Sequence, residues 1–468
     1  MSGEVDSGAH VFARLGTRTQ RAMSSGRTRR PAVIAVTVFA VAIAIGTGLL
    51  MLPVARAGPD SAPFSTAVFT STSSVCVVGL STVDFATYWS TFGHVVVAVL
   101  VQIGGFGITT LASLFALVVY RRMGLRSRLM AQQETQTLDL GDVRRVLIGV
   151  GLITVTVEFI TALLLTIRLT TAYDNPIGEA AWSGLFTSIT AYNHQGYALY
   201  SDNLVGFVGD WWFCLSVMFA VVVASLGFPA AFELIREWRS PRTWTMHTRI
   251  VVAMTATLIV GGTAAYVLFE WTNQRTLGDL SGPTKILAAG FTSVSARTAG
   301  FNTIDIGGLT EESLLATNVL MFIGGGPAGP AGGVKVTTFA ILGFVIMAQI
   351  RGDPEVHLGL RRIATPAIRL AITVALLYVG VLVGGTLLIL AFTPADVTLS
   401  EALFEAGSAL ATVGLSTGIT NELNSSAEAV VIAMMFIGRL GPVTIVSALA
   451  LRERAVRYRL PEERPIIG

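Results

Sequence analysis

Phe291 to Asp305, FTSVSARTAGFNTID, is the stretch whose reading decides the fold. It is too polar to be a membrane span, yet it lies between two long apolar segments. It reads as a short helix, Pro283 to about Ser295, followed by an extended segment with Gly300 at its centre. Uncharged serine and threonine, one glycine and a nearby carboxylate suit a backbone that binds a bare cation. Carbonyl oxygens replace the ion's water shell, and glycine permits the φ/ψ values that turn them inward. Taken alone, the stretch reads equally well as an ordinary re-entrant loop. Three further copies change that balance.

The copies align on a glycine. SVCVVGLSTVD surrounds Gly79, ITAYNHQGYALYSD surrounds Gly196 and ALATVGLSTGITNE surrounds Gly414. With Gly300 they recur at about 110 residues, the mark of an internal repeat. A carboxylate follows each glycine: Asp84, Asp202, Asp305 and Glu422. Any one of them reads as a solvated loop residue. Four around one axis would form a negative funnel that concentrates cations.

The surrounding chain is 52% hydrophobic and 13% charged over 468 residues, against about 25% charged in a soluble domain. An all-α integral membrane protein is expected. Apolar segments fall near 32–54, 92–120, 146–168, 210–235, 250–270, 313–348, 367–392 and 428–451. Each is long enough to cross a hydrocarbon core, which takes about 20 residues. Shorter mixed segments at 62–82, 179–198, 283–303 and 399–416 lie within successive pairs. The order span, half-length helix, glycine loop, span therefore occurs four times. The net charge is +3, but the lysines and arginines gather in the loops between pairs and in both tails. That pattern excludes a nucleic-acid role, places both termini in the cytoplasm and turns the glycine loops outward.

The expected divisions are a disordered basic tail at 1–31, four pore repeats at 32–120, 121–235, 236–348 and 349–451, and a cytoplasmic tail at 452–468. A transit peptide is the alternative reading of the first tail. Cys76 and Cys214 form no metal-site spacing and imply no disulfide framework. No P-loop, GxSxG elbow or His/Cys cluster occurs, and Glu158 is an isolated carboxylate within a span. The chain is not expected to be an enzyme or to carry a cofactor.

The second spans also repeat: QIGGFGI from Gln102, FIGGG from Phe322, FIGRLGP from Phe436, and a degenerate SLGFP from Ser225. In that register Arg439 stands where Gly105 and Gly325 stand. An arginine inside a span is costly and marks a functional position by default; a packing ion pair is the alternative. It should face the pore or a loop below the filter. The apolar segment 313–348 is interrupted by GGGPAGPAGGVK, Gly324 to Lys335. That composition does not continue a helix. Non-helical backbone at membrane depth survives only where it is buried in protein or lines water. A mobile obstruction beneath the filter is expected; a glycine packing seam accounts for neither the two prolines nor Lys335.

These residues resemble a known family. The four glycine loops, SARTAGFNTID, FIGRLGP, the glycine-rich break and the terminal PEERPIIG look like the membrane subunit of Ktr-type potassium uptake systems, in the Trk/Ktr/HKT superfamily. The resemblance runs from about Pro31 to Gly468. It implies four linked units around one pseudo-fourfold pore, with eight transmembrane helices and four re-entrant pore helices. It implies a potassium filter of backbone carbonyls at Val77, Val78 and Gly79, at His194, Gln195 and Gly196, at Thr298, Ala299 and Gly300, and at Thr412, Val413 and Gly414. Gly324, Gly325, Gly326, Pro327, Gly329, Gly332, Gly333 and Lys335 match the family's intramembrane gating loop, and Arg439 its pore arginine. The resemblance further implies a homodimer in the cytoplasmic membrane, touched by Ile466, Ile467 and Gly468, with a cytosolic nucleotide-binding RCK ring beneath. The substrate it implies is potassium, with sodium as an activator or coupled ion. His194 and Gln195 are bulkier than the family's usual residues; their side chains are expected to point away from the pore. Gly79 keeps the potassium-type pattern. The competing readings are a sodium-coupled transporter of another solute and a sodium-conducting member of the same superfamily.

Overall fold

The computed structural model describes residues 30–122, 140–358, 361–393 and 396–450. Residues 1–29 and 452–468 of the expected tails, including Ile466 to Gly468, lie outside the described residues, while Arg30 and Pro31 already belong to the first helix. Among the described residues the regular structure is helical apart from a short antiparallel pair, His357–Leu358 against Arg361–Arg362, and an isolated bridge between Arg56 and Trp89.

The helices fall into four sets, each a long helix, a half-length one and a third that is broken in two in the second and third sets. The first set is α1 (Arg30–Leu50), α2 (Phe64–Val75) and α3 (Thr91–Arg122). The second is α4 (Leu140–Ala172), α5 (Ile177–Asn193) and α6 (Trp211–Ser225), continued by α7 (Phe228–Glu237). The third is α8 (Met246–Glu270), α9 (Gly282–Ser295), α10 (Glu311–Ile323) and α11 (Val336–Arg351). The fourth is α12 (Thr365–Phe392), α13 (Leu399–Ala411) and α14 (Ser425–Ala450).

The contacts between sets follow one rule. The third helix of each set packs on the short helix of the next: α3 on α5, α6 on α9, α10 on α13. The last, α14, packs back on the first short helix, α2. The four sets therefore close into a ring.

Burial runs opposite to a soluble protein. The short helices at the centre bury polar residues, as in Thr70 to Ser74 of α2. Some of their hydroxyls bond back within the helix, Ser74 Oγ donating to the Thr70 carbonyl at 2.7 Å and Thr292 Oγ1 to Ala288 at 2.8 Å, and Ser71 Oγ donates across to the Ile43 carbonyl of α1 at 2.8 Å. Large apolar side chains such as Leu152, Phe159, Val260, Leu268 and Leu376 are exposed on the outer helices. That much exposed apolar surface on a folded chain marks contact with lipid.

Three described helices are long and apolar enough to cross a membrane alone: Val146–Ala172, Met246–Glu270 and Thr365–Phe392. Ala35–Leu50, Thr91–Gly107 and Val336–Arg351 are shorter apolar helices. The expectation of one span at 210–235 needs correction. There α6 and α7 meet at a bend of 105°. Gly227, at φ +77°, makes the corner, and Pro229 follows it in the first turn of α7. A proline is tolerated in a first helical turn but not in a helix interior, so the chain restarts a helix there. The second interruption falls between α10 and α11, across Gly324 to Lys335.

Candidate functional site

Each short helix ends at one of the four glycine loops. The loops share a backbone signature. The residue two before the glycine takes a positive φ: Val77 (+53°), His194 (+64°), Thr298 (+84°) and Thr412 (+52°). The glycine does likewise: Gly79 (+105°), Gly196 (+72°), Gly300 (+80°) and Gly414 (+95°). Three of the four non-glycine residues are β-branched, which makes the left-handed conformation an outlier. Strain of this kind persists where surrounding structure over-determines it, and it clusters at functional sites.

The loops meet. A Cβ built on Gly196 would lie 2.8 Å from the Gly300 α-carbon, and one on Gly300 3.3 Å from the Gly414 α-carbon. One on Gly414 would lie 3.0 Å from the Gly79 α-carbon, and one on Gly79 would strike the Gln195 carbonyl. Four glycines more than a hundred residues apart thus form one closed ring. Serine hydroxyls brace two corners, Ser73 accepting from the Gly79 amide and Ser408 from the Gly414 amide, each at 3.0 Å. The four short helices all present their C-terminal ends at this ring. A helix C-terminus carries about half a negative charge, so the four together favour a cation.

The bulky residues of the second loop are both engaged. Gln195 donates from Nε2 to the Ser73 carbonyl of α2 at 3.2 Å. His194 reaches Thr298 through Nδ1 and the Val221 carbonyl through Nε2. The four carboxylates that follow the glycines are exposed. Two of them also have local structural work. Asp84 accepts from the Ala86 amide at 3.1 Å, and Asp305 from the Gly307 amide at 3.0 Å.

Gly324 to Lys335 folds as a tight hairpin beneath the ring. Gly324, Ala328, Gly333 and Lys335 have positive φ. The segment's backbone is paired in place, with Val334 N–H donating to Phe322 at 2.9 Å and Val336 N–H to Gly325 at 3.0 Å. Gly326 donates to the Ser225 carbonyl at 2.6 Å, at the bend between α6 and α7. Gly332 lies against Ala411 and Thr412, where a Cβ would collide with both. Lys335 Nζ folds back on the carbonyls of Ala331 and Gly332. Arg439, buried on α14, donates from Nη1 to the Pro330 carbonyl. Glycines on the third helices admit the close approach: a Cβ on Gly104 would strike the Val75 carbonyl, and one on Gly438 the Leu410 carbonyl.

Residues 13–455 match the TrkH family, described as cation transport protein. The chain belongs to that family. The Ktr system potassium uptake protein B of Bacillus subtilis is 36% identical, over 92% of this chain and 95% of its own length. The protein of the same description from Vibrio alginolyticus is 32% identical, over 90% of this chain and 91% of its own. The crystal structure of the potassium transporter TrkH from Vibrio parahaemolyticus shares the fold, with a TM-score of 0.70 at 16% identity, covering 89% of this chain and 84% of that one.

Two buried charges near the ring were not singled out by sequence reasoning. Arg297, within SARTAG, is 1% exposed and donates to Thr255 Oγ1 at 3.3 Å. Glu405, on α13, is fully buried and accepts from Ser416 Oγ at 2.9 Å and from Thr420. Both lie in short helices or loops too polar to be read as spans, so neither drew the notice that a charge in an apolar run draws. Glu158 accepts from Gln102 at 3.3 Å and from Asn193 at 3.1 Å, at the end of α5.

Proposed function

We propose that the chain conducts potassium across the cytoplasmic membrane through a filter made by its four glycine loops. The observation that carries this reading is the closed ring of Gly79, Gly196, Gly300 and Gly414, with a residue of positive φ two positions before each glycine. Backbone carbonyls at Val77–Gly79, His194–Gly196, Thr298–Gly300 and Thr412–Gly414 replace the water shell of the ion. Four helix C-termini at the ring suit a monovalent cation that must leave as readily as it enters. The names of the relatives, potassium uptake proteins of Ktr systems, point to the same ion.

In this reading the four helix sets are four pore repeats around one axis, divided as the sequence suggests, with both termini cytoplasmic. The hairpin from Gly324 to Lys335 is the gate. It lies directly below the ring, and Arg439 holds its tip at Pro330. The chain works as a homodimer whose C-terminal tails reach the partner, under a cytosolic nucleotide-binding RCK ring that pulls the gate aside. Sodium acts as an activator or coupled ion. No covalent step is required of this chain.

The test is ion flux in liposomes containing the purified protein, with and without a sodium gradient. Potassium or rubidium entry without any other solute supports the reading. Uptake of an organic or anionic solute driven by sodium, with no potassium flux, overturns it. Flux of sodium in preference to potassium assigns the chain to the sodium-conducting alternative.

A further inference from the structure

The second loop carries histidine and glutamine before its glycine, where the other three loops carry only small or β-branched residues. The His194 ring is fully buried. Its Nε2 lies 3.1 Å from the Val221 carbonyl of α6, and its Nδ1 lies 2.9 Å from Thr298 Oγ1 and 3.1 Å from the Thr298 carbonyl. Thr298 Oγ1 in turn accepts from the Gly332 amide at 3.3 Å. Nε2 faces only the Val221 carbonyl, which cannot donate, whereas Nδ1 also faces the Thr298 hydroxyl, which can; the ring proton therefore belongs on Nε2. A doubly protonated ring would add a charge to a site closed to water, beside the buried Arg297. Nδ1 is therefore the acceptor for the Thr298 hydroxyl. The bonds run in one direction: Gly332 N–H to Thr298 Oγ1, Thr298 O–H to His194 Nδ1, His194 Nε2–H to the Val221 carbonyl. Chains of this kind polarise one another.

We infer that His194 is a positioning residue that ties the filter to the gate, so that ion selectivity depends on where the glycine-rich hairpin sits. Its own backbone belongs to the second loop. Its ring holds Thr298, the strained residue of the third loop, and anchors that pair to α6 one turn above the bend. Through the Thr298 hydroxyl it senses Gly332 in the hairpin. When the hairpin moves, the Gly332 bond is lost, and the Thr298 side chain loses one of the two bonds that hold it. A small or purely apolar side chain at position 194 could make neither bond. This inference rests on the filter and gate reading above.

The experiment compares wild type, His194→Leu, Thr298→Val and the double variant as full-length protein in liposomes, reading the ratio of potassium to sodium flux. Each single variant is expected to lower that ratio about fivefold to tenfold, the effect of one lost hydrogen bond. The double variant is expected to be no worse than either single one, because both cut the same chain. Nitrogen NMR of the labelled protein should give His194 as the neutral ring with the proton on Nε2. If His194→Leu does not assemble, the isosteric Thr298→Val carries the test alone. An unchanged ratio in the variants that assemble, losses that multiply in the double variant, or a proton on Nδ1 each overturn the inference. A wild type without preference for potassium would instead sink the filter reading itself.

Discussion

Replacing Gly300 by alanine is the sharpest test of the glycine ring. Gly300 sits at φ +80°, a conformation that costs a residue with a Cβ about 1–2 kcal/mol. The added methyl would lie 3.2 Å from the Gly196 α-carbon and 3.3 Å from the Gly414 α-carbon, and it would press on the Val413 carbonyl oxygen. None of these is the yielding end of a flexible side chain. Overpacking of this sort costs about 1–3 kcal/mol more. The sum, about 2–5 kcal/mol, corresponds to roughly 30- to 4,000-fold in an equilibrium if it falls on the ion-ready arrangement of the ring. Potassium flux in liposomes should drop by that order, or its preference over sodium should collapse as the ring widens. Gly380→Ala is the control: it lies within α12, and its Cβ would meet nothing within 4 Å. It should be neutral or stabilise by about 0.5–1 kcal/mol. Folded Gly300→Ala protein with the wild-type potassium flux and potassium-to-sodium ratio would refute the assignment of the ring as the filter.

Other consequences can be checked alongside. Deleting 327–330 should raise flux and weaken its regulation, measured as basal rubidium uptake in potassium-transport-deficient cells; a fall in flux by folded protein would show that the hairpin is not an obstruction. Arg439→Gln, which loses the bond to Pro330, should raise basal flux by roughly fivefold, the scale of one hydrogen bond; the same uptake assay reads it. Asp210 lies just outside α6. Burial raises its pKa, but bonds from Arg168 at 2.7 Å, from the Phe213 amide and from Tyr173 outweigh that and hold the carboxyl below its ordinary value. Its stabilising contribution is therefore complete above the ordinary carboxylate range and is lost as pH falls through the lowered native value. Melting curves in detergent from pH 7 down to pH 3 should show wild type losing more of its melting temperature than Asp210→Asn, and parallel slopes would contradict this.

Much of this architecture is local and was legible. Alternation of apolar runs with Ser/Thr-rich half-length segments is written in composition, because lipid rewards one and a polar interior the other. The four glycines stood out by period. The interruption at Gly324 to Lys335 was legible because glycine and proline deny a helix wherever they cluster. The bend at Gly227 was not, since Leu226 and Phe228 keep that run apolar and hide its corner. What only the tertiary structure decided are the meetings between distant residues. Gly196 against Gly300, Arg439 against Pro330 and His194 against Thr298 each join positions about a hundred residues apart. Local pattern determines which segments become helices and where the backbone turns. Ring closure of the four sets determines which carbonyls and side chains face one another, because that depends on packing between helices that are never neighbours in the chain.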